Sequence, residues 1–177
     1  MLATKSNVLA FELLNEIGNA IMLFPEPMLA SWAAQFSAAV RAAAPNLPIT
    51  ISDVSNGNST IIGKFSDWQR IRRYAPYVDF HVYPAVANTL KPWHTAACEL
   101  VSDRPVIFGE IGAYRPSRTG AQMADAYETI RQTMIRTPSV KGVIQWATVN
   151  NDFGLYDETT DTLQTDIAST WALFPST

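Results

Sequence analysis

Two glutamates, Glu16 and Glu110, each follow a short apolar stretch, in "VLAFELLNE" and "RPVIFGE". A carboxylate at the mouth of a buried strand is costly unless it has a task. Two such groups facing one another suit hydrolysis of a glycosidic bond. One carboxylic acid protonates the leaving oxygen, while the other carboxylate attacks or activates water. Their surroundings must hold the two pKa values apart.

Other polar and aromatic side chains follow apolar stretches in the same way. Asn15 directly precedes Glu16, and Asp53 follows a second stretch. His81 and Tyr83 stand in "DFHVYP", and Trp146 stands in "GVIQWATVN". Each residue alone is weak evidence for a functional site, because an acid at the end of a strand is commonly solvated and a Trp or His there commonly packs in the core. Their recurrence after successive strands predicts one shared rim.

The elements that must position these residues alternate along the chain. Strands buried on both faces are predicted from apolar runs at Val8–Leu14, Leu47–Ser52, Val78–Tyr83, Pro105–Gly109 and Gly142–Ala147. Helices are predicted at Pro27–Ala44, Ser66–Tyr74, Pro92–Val101, Thr119–Arg136 and Thr162–Leu173. This alternation predicts an α/β fold with a parallel sheet. No Gly-rich loop follows the first strand, so a (β/α) barrel is favoured over a doubly wound sheet.

The composition bounds the function. The 177 residues fit a single domain over 1–177, and 47% hydrophobic with 16% charged residues supports a substantial core. A net charge of −3 with scattered basic residues predicts no nucleic-acid or membrane partner. Cys98 is the single cysteine, so no internal disulfide forms. The first residues make a poor signal peptide, and localisation stays open.

Two other kinds of chemistry fit poorly. A Schiff-base enzyme needs a buried strand-end lysine, and none of Lys5, Lys64, Lys91 and Lys141 occupies such a position. A zinc enzyme needs clustered ligands, but His81 and His94 are the only histidines and lack ligand spacing. We therefore expect neither a metal nor a cofactor.

At these motifs the chain resembles the retaining glycoside hydrolases with a TIM-barrel fold, the clan of cellulases and β-mannanases, and is similar to glycoside hydrolase family 5. In that clan an Asn-Glu pair ends the fourth strand, and "FELLNE" matches it. A Glu ends the seventh strand, and "PVIFGEIG" matches it. The cellulase-like families also have His-x-Tyr on the sixth strand and Trp on the eighth, which "HVY" and "IQW" match in order.

The resemblance implies a role for each of these residues. Glu16 would be the acid/base, Glu110 the nucleophile, and Asn15 a donor to the sugar 2-hydroxyl. For a retaining enzyme the two carboxyl groups are expected ~5–5.5 Å apart. The implied substrate is a β-linked carbohydrate.

Three further side chains would support these groups. Tyr83 is expected to donate a hydrogen bond to Glu110 and orient it, and His81 to line the site near Glu16. Trp146 is expected to be the sugar platform, whereas Trp32 and Trp171 are expected in the core.

The matched motifs correspond to strands four to eight of an eight-stranded barrel, so a partial barrel of about five strands is expected. In an open sheet, Leu9, Phe11 or Leu14 would face water, which predicts a homodimer that covers them. Helices folding over the open side of a monomer are the alternative. The enzymatic interpretation likewise has an alternative: an inactive partial barrel that binds carbohydrate or serves as an assembly scaffold.

Overall fold

A computed structural model of the chain describes residues 8–17, 23–53, 77–84, 104–149 and 152–174. The chain divides into two compact units, Met1–Phe80 and His81–Thr177, and each is described by itself. The prediction of one domain over residues 1–177 stays a prediction.

The N-terminal unit contains a strand–helix–strand crossover. Strands β1 (Phe11–Glu12) and β2 (Ile49–Thr50) pair in parallel. The ladder begins where the Phe11 amide donates to the Pro48 carbonyl (2.8 Å) and ends where the Ser52 amide donates to the Leu14 carbonyl (3.3 Å). The predicted first strand, Val8–Leu14, was therefore too long at its start, because among the described residues the parallel pairing begins at Phe11.

Helix α1 (Glu26–Ala43) links these strands and agrees with the predicted Pro27–Ala44. Prolines explain both ends. Pro25 precedes the helix, where its missing N–H costs no intrahelical bond. Pro45 follows Ala44 and disfavours helical backbone in the residue before it. Leu29, Ala33 and Ser37 recur at intervals of four on the buried face.

The rest of the N-terminal unit is a second parallel pair. Strand β3 (Ser52–Asp53) pairs with β4 (Val78–Val82), with Ser52 opposite Asp79 and Asp53 opposite Phe80. The predicted strand Leu47–Ser52 is thus two short strands that pair with different neighbours. All five residues of β4 are buried, which confirms a strand covered on both faces. The boundary between the two units falls within β4, after Phe80.

The C-terminal unit contains a second crossover. Strands β5 (Val106–Ile111) and β6 (Val140–Gln145) pair in parallel, and helix α2 (Gly120–Arg136) connects them. Thr119 begins α2 with a capping box in which Thr119 and Gln122 bond each other's backbone amide. The helix buries one stripe: Met123, Ala126, Tyr127, Ile130 and Met134.

The last predicted helix, Thr162–Leu173, was wrong in its first turn. Thr162–Leu163 is strand β8, paired antiparallel with β7 (Tyr156–Asp157). Helix α3 covers only Thr165–Trp171. The turn explains the difference, because the Asp157 carboxylate accepts the Thr159 amide at 2.8 Å and so starts a tight turn.

The α/β class with parallel strands alternating with helices is confirmed. The predicted helices Ser66–Tyr74 and Pro92–Val101 lie outside the described residues, as do His94 and Cys98. No helix in the described ranges has the length and apolar character needed to cross a membrane.

Candidate active site

Glu110 lies in a bulge of β5. Phe108 pairs with Val143 and Ile111 with Gln145, so β5 places Gly109 and Glu110 opposite a single residue of β6. The strand therefore runs one residue past Glu110, whereas the sequence predicted that it ends at Gly109. A bulge bends the strand and re-aims the side chain it carries, and bulges are frequent next to active sites.

Two side chains from the end of β4 meet one oxygen of Glu110. The Tyr83 hydroxyl donates to Glu110 Oε2 at 2.6 Å, which is the hydrogen bond that the sequence predicted. His81 Nδ1 lies 3.1 Å from the same oxygen, and its side chain is 2% exposed against 16% for Glu110. Within the C-terminal unit His81 therefore lies against Glu110, and its predicted place near Glu16 stays a prediction. Short hydrogen bonds to a carboxylate fix its direction.

Gly112, two residues after Glu110, is the point where the surrounding groups converge. A Cβ at this position would lie 2.9 Å from Tyr83 Cε1, 3.1 Å from the Trp146 carbonyl and 3.3 Å from Phe153 Cδ1. Only a residue without a side chain lets these three groups approach so closely. The glycine therefore sets how tightly the Tyr83 ring packs behind Glu110.

Trp146 follows β6 with 46% of its surface exposed, so it is not a core residue. Its backbone is held by the preceding side chain. Gln145 Nε2 donates to the Trp146 carbonyl at 2.8 Å and to the Phe153 carbonyl at 3.0 Å. This bridge ties the end of β6 to the following loop. Trp32 and Trp171, predicted as core, are half-buried and stack on Phe36 and Phe174 respectively.

The sequence analysis missed an aromatic row beside Glu110. The Tyr83 ring meets Phe153 edge-on, with centroids 5.8 Å apart, and Phe153 meets Tyr114 at 5.4 Å. Tyr114 is at the outer end and is exposed. Its place four residues after Glu110 was the available signal, because loops after barrel strands build the active site.

In the N-terminal unit, Glu16 has an unusual backbone. Its φ is 54°, a left-handed conformation that is uncommon for residues other than glycine, asparagine and aspartate. The Glu16 amide donates to Ser52 Oγ at 2.8 Å, and this serine is completely buried in β3. Asn15 is exposed and Glu16 is half-buried. Strain of this kind concentrates at functional sites, because surrounding structure must maintain it.

A half-buried ion pair supports the loop after β5. Arg115 makes two hydrogen bonds to Asp166 of α3, at 2.9 and 3.2 Å. Tyr127 of α2 is completely buried nearby, and burial raises the pKa of its hydroxyl to about 12, against the opposing effect of the Gln145 side chain. Within the described ranges, neither the Tyr127 hydroxyl nor Gln145 Oε1 makes a hydrogen bond of good geometry.

Arg118 braces the same loop. Its guanidinium donates to the Pro84 carbonyl at 2.6 Å and to the Tyr114 carbonyl at 3.2 Å. Partial burial lowers the pKa of Arg118 from its usual range, although an arginine stays charged. The main chain next to Tyr83 is therefore tied to the main chain at Tyr114.

Comparison with solved structures identifies the architecture. A GH5_18 variant from Streptomyces cattleya, solved in complex with Manβ1-4GlcNAc, matches 97% of this chain with a TM-score of 0.68 and 18% identity. Endoglucanase Cel5A from Thermotoga maritima matches 90% with a TM-score of 0.64 and 15% identity. A GH128 exo-β-1,3-glucanase from Aureobasidium namibiae matches 94% with a TM-score of 0.63 and 15% identity. The chain therefore has an α/β fold of the TIM-barrel type.

The chain covers only part of each of these solved structures. The chain spans 50% of the Streptomyces protein, 58% of the Thermotoga protein and 68% of the Aureobasidium protein. It spans 26% of an FMN-binding β-glucuronidase that also matches. No protein-family model matches the chain, and no curated protein does. At these identities the likeness establishes the fold alone.

Proposed function

We propose that this protein is a retaining glycoside hydrolase that acts on β-linked glycans or β-glycosides. Glu110 is the nucleophile and Glu16 the acid/base. The observation that carries the proposal is the environment of Glu110, a carboxylate on a strand bulge with the Tyr83 hydroxyl and His81 Nδ1 at one oxygen. The glycosidase-like fold and the strained backbone of Glu16 support it.

The first half-reaction forms a covalent intermediate. The Glu110 carboxylate attacks the anomeric carbon while the Glu16 carboxyl gives its proton to the glycosidic oxygen. The bond to the leaving group breaks as the glycosyl–Glu110 ester forms. The hydrogen bond from Tyr83 keeps the carboxylate aimed before attack, so less freedom is lost in the transition state.

The second half-reaction hydrolyses the intermediate and restores the free enzyme. Glu16, now ionised, takes a proton from water, and the water oxygen attacks the anomeric carbon and releases Glu110. Two inversions give net retention of configuration. Asn15 donates to the sugar 2-hydroxyl, and the exposed indole of Trp146 covers the apolar face of the sugar ring.

Activity on a panel of aryl β-glycosides and soluble β-glucans tests the proposal. We expect Glu110→Ala and Glu16→Gln each to lower turnover by more than a hundredfold, since each removes a group that bonds to the reacting atoms. Azide should restore turnover in Glu110→Ala as a surrogate nucleophile. Glu158→Gln, at an exposed glutamate in the β7–β8 turn, is the matched control and should behave as the unaltered protein.

The stereochemistry of the first product gives a second test. Proton NMR should show the β-anomer appearing first, as expected for retention. Appearance of the α-anomer first would mean inversion and would refute the role of Glu110. Full activity of Glu110→Ala without azide would refute it as well.

Trp146→Ala tests the sugar platform, with Trp32→Ala as its matched control. We expect Trp146→Ala to raise KM severalfold, and Trp32→Ala on α1 to leave it unchanged. The reverse pattern would mean that the sugar binds at the other end of the strands.

A carbohydrate-binding protein without turnover is the second candidate function. The exposure of Trp146 and Tyr114 favours it, because both rings are accessible to a ligand without any catalytic step. The same panel separates the two functions. Retardation in a polysaccharide gel with no product, at high protein concentration, would favour binding alone.

A further inference from the structure

Tyr114 is an exposed aromatic residue at the end of the row that begins behind Glu110. Its ring packs on Phe153 at 5.4 Å with a tilt of 45°, and Phe153 in turn packs on Tyr83. With 45% of its surface exposed, Tyr114 leaves part of its aromatic surface open to solvent. The ring contacts place it one aromatic layer further from Glu110 than Phe153.

The backbone of Tyr114 is held in place on both sides. Its carbonyl accepts hydrogen bonds from Ser117 Oγ at 3.1 Å and from the Arg118 guanidinium at 3.2 Å. The next amide, of Arg115, donates to the Asp152 carbonyl at 2.8 Å. A large ring on a fixed backbone loses little entropy when a ligand covers it, which is the property of a binding residue.

A planar ring with an exposed apolar surface and a polar hydroxyl matches the apolar CH face of a sugar ring and its hydroxyl edge. We propose that Tyr114 is a second sugar-stacking position, which binds a further unit of a β-linked oligosaccharide whose reacting unit lies at Glu110. The inference rests on the proposed function for the position of the reacting unit. It adds that the ligand is an oligosaccharide and not a simple glycoside.

The test compares substrates of different length in the full chain. The probes are p-nitrophenyl β-glucoside and β-mannoside, and the p-nitrophenyl glycosides of the corresponding β-1,4-linked trisaccharides. Tyr114→Ala should lower kcat/KM on a trisaccharide substrate roughly five- to tenfold, the size of one aromatic contact. The loss should come through KM, and values on the monoglycosides should stay within twofold.

Two control variants separate stacking from other effects. Tyr114→Phe keeps the ring and should retain most of the trisaccharide activity. Ile135→Ala, at an exposed apolar residue of α2, should leave kcat/KM unchanged on both the monoglycosides and the trisaccharide substrates. Retardation in native gels that contain soluble β-1,3-glucan, β-1,4-glucan or β-1,4-mannan measures binding without turnover, and Tyr114→Ala should reduce it.

The outcomes distinguish this inference from the proposed function. If Tyr114→Ala leaves turnover unchanged, or lowers it equally on the short and the long substrates, the stacking role of Tyr114 is refuted and the proposed function is not affected. Absence of turnover with gel retardation that Tyr114→Ala abolishes overturns the proposed enzyme but supports the stacking position. Neither turnover nor retardation of the unaltered protein overturns both.

Discussion

Gly112→Ala is the substitution whose effect can be worked out most directly from the structure. The added methyl group would lie 2.9 Å from Tyr83 Cε1, whereas carbon atoms pack best at roughly 3.5–4.0 Å. It would also lie 3.1 Å from the Trp146 carbonyl, which is main chain held by Gln145. Because the carbonyl is fixed, the Tyr83 ring has to move by about half an ångström or more.

We expect this overpacking to lower the free energy of unfolding by about 1–3 kcal/mol. In a chain of this size that is a fall in Tm of roughly 2–4 °C for each kcal/mol. The same movement lengthens the 2.6 Å hydrogen bond from Tyr83 to Glu110, so the fraction of protein that stays folded should also lose activity. A loss of kcat of tenfold or more in the folded protein is expected, because small misplacements at a reacting centre are costly.

Gly142→Ala is the matched control for this experiment. Among the described residues, no atom lies within 4 Å of a Cβ built at Gly142, which is in strand β6. Replacing a strand glycine without a clash should be neutral or stabilise the protein by up to ~1 kcal/mol. Urea unfolding with a kinetic assay measures both variants. If Gly112→Ala is as stable and as active as Gly142→Ala, the packing argument behind Glu110 is wrong.

Four further predictions concern strain, pH, the loop brace and assembly. Glu16→Gly should raise the free energy of unfolding by about 0.5–1 kcal/mol relative to Glu16→Gln, since glycine adopts φ 54° without strain; a less stable glycine variant would contradict this. Burial raises the pKa of Tyr127 to about 12, whereas a tyrosine in the unfolded chain has a pKa near 10. The contribution of neutral Tyr127 to the free energy of unfolding is therefore complete below pH 10 and is lost as the pH rises towards 12. Urea unfolding over this pH range should show a loss of roughly 2–3 kcal/mol that Tyr127→Phe lacks. Arg118→Lys keeps the charge but loses one of the two hydrogen bonds to main-chain carbonyls, so the free energy of unfolding in urea should fall by about 1–2 kcal/mol. An unchanged free energy of unfolding would mean that Arg118 does not stabilise the loop. Leu9 and Phe11 are exposed, as predicted for the open sheet, so light scattering at micromolar concentration should report twice 19.5 kDa, and a mass of 19.5 kDa would refute the homodimer.

Features that depend on neighbours in the sequence could be predicted. The prolines at positions 25 and 45 limit α1, and Thr119 with Gln122 begins α2, because these effects act within one or two turns of helix. The burial of β4 agrees with the strand predicted at Val78–Tyr83, although Asp79 and His81 alternate with its apolar residues. The residue types at the strand ends were enough to select Glu16, Glu110 and Tyr83 as the groups for which chemistry should be argued.

Features that depend on pairing across the chain were decided by the tertiary structure. The bulge that carries Glu110 arises from a register shift between β5 and β6, and the sequence of neither strand alone specifies that shift. In the C-terminal unit, His81 and Tyr83 reach the same oxygen of Glu110 because both lie at the end of β4. The packing of Tyr114 likewise depends on Phe153, which is 39 residues further along the chain and contacts it only after folding.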